Sequence, residues 1–476
     1  MDRDSEDDII DAPVPTQRAE LSDIYTEDGS VRHDFLMMVG AAIADRDVIF
    51  LRKNVGRRHV SELGDVLEAI LPEQRMALIH LLGDDFDLAA LTEVDEAIRL
   101  EIVEQIPNDE IAAAIGELDS DDAVYILEDL DHEDREEILA KLPFTERVRL
   151  RRALDYPESS AGRRMQSEFV AVPPFWTIGQ CIDYMREDED LPESFTQIFV
   201  IDPTFKLMGV VDLDRLLRSG RATKVEDIMR ETNHPVPAEM DQEEAAQLFQ
   251  QYDLLSAAVV DENGRLVGVL TIDDVVDVIH EEAEEDIKRL AGVGDEELSD
   301  NVMSTVRSRF LWLFINLGTA FLSSTVIGLF GATIEEMVAL AVLMPIVASM
   351  GGNAGTQTMT VTVRALATRD LDIYNAGRII RRELGVGATN GLMFACMVGL
   401  VAGFMYHDYH LGIVIGIALF INFMAAALAG NLVPLLLNRF GADPAVASSV
   451  FVTMVTDMTG FFGFLGLATL WFGMRG

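Results

Sequence analysis

The chain of 476 residues carries 37 Lys plus Arg against 81 Asp plus Glu, for a net charge of −44. That balance excludes nucleic acid as a partner, because phosphate binding needs clustered basic side chains. Two cysteines, Cys181 and Cys396, exclude a disulfide framework and a thiolate metal site.

The negative charge is confined to the first part of the chain. From Arg307 onward there are 9 basic and 8 acidic side chains, which leaves 28 and 73 before it. Such an acidic surface favours cations, and equally serves solubility or a high-salt habitat. Residues 1–30 lack the apolar core of a secretory signal and are expected to form an acidic flexible tail on the cytoplasmic side.

Over residues 31–160 an apolar position recurs every 12 residues, at Leu82, Val94, Ile106, Leu118, Leu130, Leu142 and Leu154. The residue that follows is Gly83, an Asp (Asp95, Asp119, Asp131, Asp155) or a Pro (Pro107, Pro143). Asp caps helix N-termini and Pro suits the first turn, so each period is expected to start a short helix. Pairs such as Ile126-Leu127 and Ile138-Leu139 supply an apolar face that short helices bury by stacking. An all-α superhelical domain with an acidic exterior follows, a scaffold with nothing catalytic in it.

Residues 161–280 change to β-branched runs and contain one internal repeat. Phe199 to Leu217 reads against Ala258 to Val276 as strand, turn, strand and helix, with turns at Asp202-Pro203 and Asn263-Gly264 and glycines at Gly209 and Gly268. A helix is expected before each copy, at Ile178 to Met185 and at Glu243 to Gln251. The tandem resembles a pair of α/β cystathionine-β-synthase (CBS) domains, 161–220 and 221–280. The resemblance implies adenine-nucleotide binding through a Gly, a hydroxyl and an Asp. Gly268, Thr271 and Asp274 match in the second copy, which makes ATP a candidate ligand there. In the first copy Asp212 and Arg215 stand in the hydroxyl and Asp positions, and a carboxylate at Asp212 would repel phosphate.

A helix is next expected from Thr271 to Leu290, within an acidic connecting segment, 271–294, that overlaps the second CBS copy. Asp274, Asp277, Glu281, Glu282, Glu284, Glu285 and Asp286 crowd little more than three turns of it. Like charges at this spacing repel. Either the helix is simply solvated, as charge runs usually are, or carboxylates and water on it bind a hard cation such as Mg²⁺ or Ca²⁺.

Residues 302–476 hold five apolar spans, Phe310 to Phe330, Met337 to Val363, Leu384 to Tyr406, Leu411 to Leu437 and Ala445 to Phe472, each long enough to cross a bilayer. Arg364, Arg369, Arg378, Arg381 and Arg382 lie between the second and third spans, and the other short loops hold no Lys or Arg between Gly331 and Glu336 or between His407 and His410. The positive-inside rule then puts the N-terminal domains in the cytoplasm and the C-terminus outside. A multi-pass protein of the cell (inner) membrane, in contact with lipid, is expected.

Asp457 sits near the middle of the last span. An ionisable group there is costly and most often handles an ion, the alternative being a buried structural bond to another helix. Thr453 and Gly460 share its helical face. The second span is polar around Pro345 and from Gly351 to Gln357. Its Gly352 and Gly355 let backbone line a cavity, or let helices pack closely. Asn353 and Gln357, four residues apart, can bond the water shell of an ion that dehydrates reluctantly, as Mg²⁺ does. A homodimer would bring two copies of Asp457 towards one axis, where two carboxylates balance one divalent ion.

The order of these parts, with Pro345 to Gln357 (PIVASMGGNAGTQ), RALATRD from Arg364 and Val455 to Gly460 (VTDMTG), resembles the MgtE family of magnesium transporters. The resemblance implies a homodimeric Mg²⁺-selective channel carrying magnesium inward down its electrochemical gradient, with Asp457 as the pore aspartate. It further implies closure by cytosolic Mg²⁺ on Asp241, Glu243, Asp253, Asp274, Asp277, Glu282, Glu285, Asp286 and Asp443, with Asp121 as partner in the helical domain. Val450 stands where family members often have Pro. Other divalent cations are candidate ions beside Mg²⁺. A Na⁺- or H⁺-coupled Mg²⁺ exchanger and a non-transporting CBS membrane sensor are the alternatives. No nucleophile–base set is legible, so no enzyme is expected.

Overall fold

The computed structural model describes residues 24–188, 191–192, 194–231, 234–293, 302–367, 371 and 376–473. The chain forms two compact units, 1–282 and 283–476. Most of the expected tail, and Gly294, lie outside the described residues.

The first unit begins earlier than its sequence indicates. Ile24 is fully buried in the helical domain's core, Tyr25 bridges Val31, and Tyr25 Oη donates to Asp65 at 2.5 Å. The tail boundary at residue 30 is therefore too late: one apolar residue and a turn at Gly29, with φ of 80°, tie residues 24–30 to the domain.

The 12-residue period appears as five successive helices, Glu96–Val103, Asn108–Ile115, Ser120–Glu128, His132–Lys141 and Phe144–Leu154. Asp131 caps its helix by accepting from the N–H groups of Glu133 and Asp134. Pro107 and Pro143 sit one residue earlier than expected, as extended N-cap residues. The period that follows Leu82 departs from the rule. Gly83 takes a φ of 56°, and two 3₁₀ turns, Gly83–Asp85 and Leu88–Leu91, replace the helix. A glycine in that conformation ends a helix rather than starting one.

Each CBS copy is a three-stranded sheet in which a short strand pairs in parallel with the next, which pairs antiparallel with the third. The strands are Ala171–Val172, Gln197–Ile201 and Leu207–Asp212, then Val236–Pro237, Ser256–Val260 and Leu266–Thr271. The registers are equivalent, with Val200 opposite Gly209 and Val259 opposite Gly268. At Gly268 an added Cβ would meet Gln166 O at 2.7 Å, because residue 166 bridges Val269 along the outer edge of that sheet. Helices Ile178–Glu187 and Gln242–Tyr252 precede the paired strands, as expected.

The last strand leads into helix Ile272–Leu290, which runs from one unit into the other. In the second unit five helices are long and apolar enough to cross a membrane: Val302–Gly328, Val338–Ala367, Ala376–Met405, Tyr409–Arg439 and Pro444–Phe472. A short helix, Gly331–Glu336, joins the first two. The fourth span is the most enclosed and packs against the second, third and fifth.

Candidate metal centres

Two groups of candidate residues emerge, one in each unit. In the membrane unit, Asn353, Thr356, Gln357 and Thr360 are exposed on the second span, Thr453 is exposed on the fifth, and Gly352 and Asp457 are half-buried. Amides and a carboxylate turned towards lipid are costly, so this face requires water or protein against it. Gly355 and Gly460 are not part of it. A Cβ on Gly355 would meet Val452 Cγ1 at 2.6 Å, and one on Gly460 would meet Asn422 Nδ2 at 2.7 Å. Both glycines are packing notches, which corrects the expectation that they line a path. The notch at Gly355 brings the second and fifth spans together, with Asn353 two residues before it and Asp457 next to Thr456 on the other side.

In the first unit the carboxylates gather where helix Ser120–Glu128 meets the start of the connecting helix. Asp121 Oδ2 accepts from Gln166 Nε2 at 3.1 Å. Its Oδ1 is buried without a donor among the described residues, and the Asp274 carboxyl group lies within hydrogen-bonding reach of the Asp121 carboxyl group. Thr271 Oγ1 donates to Asp274. Burial raises the pKa of both acids; at Asp274 the neighbouring Asp121 adds to it and the value is pushed up to about 9. Asp122 is pushed up to about 7 by burial, then by Asp121, Asp119, Glu93 and Asp87. Buried carboxyl groups that face each other need a proton or a cation between them. Thr271 and Asp274, the expected nucleotide residues, are thus turned to one another and to Asp121.

Arg164, which was not expected from the sequence, organises the surroundings of this pair. Its Nε donates to Gln242 Oε1 at 3.1 Å and an Nη to Glu281 Oε2 at 2.7 Å, while its guanidinium lies 5.3 Å from the Tyr125 ring centroid. Gln242 Nε2 in turn donates to Glu282 at 2.7 Å. Burial raises the pKa of Glu281, with Arg164 opposing it, and likewise that of Asp277, where Asp273 adds to burial. The one signal in the sequence was the pairing of Arg163 and Arg164 in a chain whose first part is otherwise strongly acidic.

The remaining expected sensors are dispersed. Asp241 caps helix Gln242–Tyr252 through Glu243 N, and Asp253 ends it in a left-handed conformation, about 18 Å apart by helical rise. Glu243 accepts from Gln247 Nε2. In the membrane unit Arg289 pairs with Glu285 and donates to Asp443 Oδ2 at 2.7 Å. Asp443 also caps the fifth span by accepting from Ala445 N at 2.7 Å. Asp286 belongs to the same helix as Glu285. Among the described residues no three His, Cys, Asp or Glu side chains converge closely enough to hold a metal alone.

A helical domain, a tandem of CBS sheets, an acidic helix and five membrane-length helices with a polar face define a polytopic membrane protein. Residues 344–467 match a family model described as MgtE, divalent cation transporter, residues 58–159 the MgtE intracellular N domain, and residues 161–221 and 225–281 the CBS domain. The chain belongs to the MgtE family. It is 37% identical to magnesium transporter MgtE of Thermus thermophilus over 66% of this chain and 70% of that one. It is 30% identical to magnesium transporter MgtE of Bacillus subtilis over 84% and 89% of the two chains. A crystal structure of the cytosolic domain of the Mg²⁺ channel MgtE in complex with ATP is 28% identical, covering 51% of this chain and 99% of that one, with a TM-score of 0.38.

Proposed function

We propose that the protein is a homodimeric Mg²⁺-selective channel that admits magnesium to the cytoplasm down its electrochemical gradient and is closed by cytosolic Mg²⁺. The observation that carries this reading is the polar face of the second and fifth spans, where Asn353, Gln357 and Thr453 are exposed and Asp457 is half-buried. A second copy placed against that face encloses a path lined by amides, hydroxyls and two carboxylates, which suits an ion that keeps much of its water. The relatives named as magnesium transporters support the choice of ion.

Closure follows from the acidic sites. At low Mg²⁺ the carboxylates of the acidic helix repel one another and the Asp121–Asp274 pair holds a proton; a divalent ion replaces the repulsion and the proton with bridging and selects the compact arrangement. Asp277, Glu282, Glu285, Asp286, Asp241, Glu243, Asp253 and Asp443 are further contributors, each a weak site. ATP has no assigned part, since Thr271 and Asp274 are engaged with each other. The arginines from Arg364 to Arg382 support a cytoplasmic soluble part and an external C-terminus. The test is Mg²⁺ current in inside-out patches as the cytosolic face is stepped from Mg²⁺-free to millimolar solution. Current that is present without Mg²⁺ and vanishes with it is expected; none at either level, with the protein in the membrane, overturns the reading.

A further inference from the structure

Asn422 is fully buried in the fourth span, in a setting where an amide needs a partner at both ends. Its Nδ2 donates to the Val347 carbonyl of the second span at 2.9 Å. This bond fixes the orientation of the amide, because the reverse would set two acceptors against each other. Oδ1 is buried without a donor among the described residues.

The amide is seated between two glycines that belong to two other helices. A Cβ on Gly351 would stand 2.0 Å from Nδ2 and 2.7 Å from Cγ; one on Gly460 would stand 2.7 Å and 3.2 Å from the same atoms. Neither position admits a side chain while Asn422 keeps its place. Gly351 is two residues from Asn353, and Gly460 is three from Asp457. One side chain of the fourth span therefore serves as the rest against which both helices of the polar face are seated.

The second span also needs such a rest. Pro345 lies inside it and removes one helical N–H, and the pair Gly351-Gly352 adds backbone freedom just before Asn353. Val347, the residue bonded to Asn422, lies between these two weak points. A residue chosen for packing alone would be apolar and of the same branched shape as Leu, leaving no acceptor unbonded. An amide stands there instead, and it holds the loosened stretch.

We propose that Asn422 is a positioning residue for ion conduction: its bond to Val347 and its fit between Gly351 and Gly460 set the spacing and rotation of the second and fifth spans, and so the places of Asn353 and Asp457. The proposal rests on the channel reading above. Its test is the unitary Mg²⁺ current of Asn422→Leu in inside-out patches with Mg²⁺-free cytosolic solution, together with thermal melting in detergent and the Mg²⁺ concentration for half-closure. Asn422→Leu is expected to lower unitary conductance several-fold while melting is unchanged or raised and half-closure is unmoved. Gly460→Ala, which pushes on the retained amide, is expected to lower conductance too, and Asn422→Ser in the same chain is expected to restore part of it by making room. Should Asn422→Leu fail to assemble, Gly460→Ala and its rescue by Asn422→Ser decide between the two outcomes. Wild-type unitary conductance in Asn422→Leu, or a fall only in the number of active channels with lower melting, overturns the positioning role alone. No Mg²⁺ current in the unmodified protein overturns the channel reading and this proposal with it.

Discussion

The carboxyl groups of Asp121 and Asp274 face one another, half-buried, within hydrogen-bonding reach. Both are raised, first by burial, Asp274 to about 9 from an ordinary 3.8. A carboxyl raised in the native state holds its proton there while the unfolded chain has lost it. Its stabilisation is therefore complete below the unfolded value and is lost as pH climbs towards the native one. In Mg²⁺-free buffer the melting temperature of the first unit should fall progressively between about pH 4 and about pH 9. Added Mg²⁺ should displace the proton, so calorimetry in two buffers of different ionisation enthalpy should register proton release near neutral pH. Asp274→Asn should flatten the first trend and abolish most of the second; a variant that releases as many protons as the wild type counts against ion binding at the pair.

Asp274, Glu282 and Glu285 span both ends of the acidic run, and their neutralisation tests the sensor as a whole. Moving a two-state equilibrium from mostly open to mostly closed takes about 5.5 kcal/mol of differential binding. Several weak sites share that amount, so losing three should be large. Asp274→Asn, Glu282→Gln and Glu285→Gln together should raise the Mg²⁺ concentration for half-closure by about tenfold or more. Unaltered sensitivity in patch recordings would exclude these residues.

Arg164 supplies a fixed positive charge to the same region, on Glu281, Gln242 and the Tyr125 ring. Its partner Glu281 is 39% exposed at the side chain, so solvent screens the pair and the contribution is about 1 kcal/mol. Arg164→Ala should lower melting slightly and, by removing a fixed cation that competes with Mg²⁺ for these acids, shift half-closure to lower Mg²⁺ by about fivefold. Arg164→Lys, which keeps the charge but not the fork to Gln242 and Glu281, should fall between the two.

The periodic parts of this architecture were legible because they rest on local rules. Helix starts at 96, 108, 120, 132 and 144 follow from Asp or Pro after an apolar residue, and equal registers at Gly209 and Gly268 follow from one repeated strand pattern. What local rules could not supply was long-range pairing; only the family resemblance implies Asp121 as the helical-domain partner. Asp121 and Asp274 are 153 positions apart, and nothing local to Asn422 says that Gly351 and Gly460 will close around it. Gly355 and Gly460 illustrate the limit of helical spacing as a guide. Spacing places Gly460 near Asp457, but Gly460 is closed off by Asn422 while Asp457 stays half-buried. The arginine contacts were hidden for a different reason: in a chain with 81 acids, composition does not say which of them an Arg will choose.

Asp457 gives the most direct test of the conduction path. Its carboxylate is the acid at the middle of the fifth span, half-buried beside the exposed hydroxyl of Thr453. If it binds hydrated Mg²⁺, removing the charge removes the attraction that draws a divalent ion into a low-dielectric region, where a charge otherwise meets a large desolvation cost. Asp457→Ala and Asp457→Asn should both abolish Mg²⁺ current. Asp457→Glu should keep some, since the charge remains but is displaced by one methylene. Gln357→Leu, which removes an amide one helical turn from Asn353, should lower current without abolishing it. Surface expression and melting serve as the check on assembly. A structural role for Asp457 makes the opposite forecast: Asp457→Asn, which keeps the shape and the hydrogen-bonding capacity, would then conduct like the wild type.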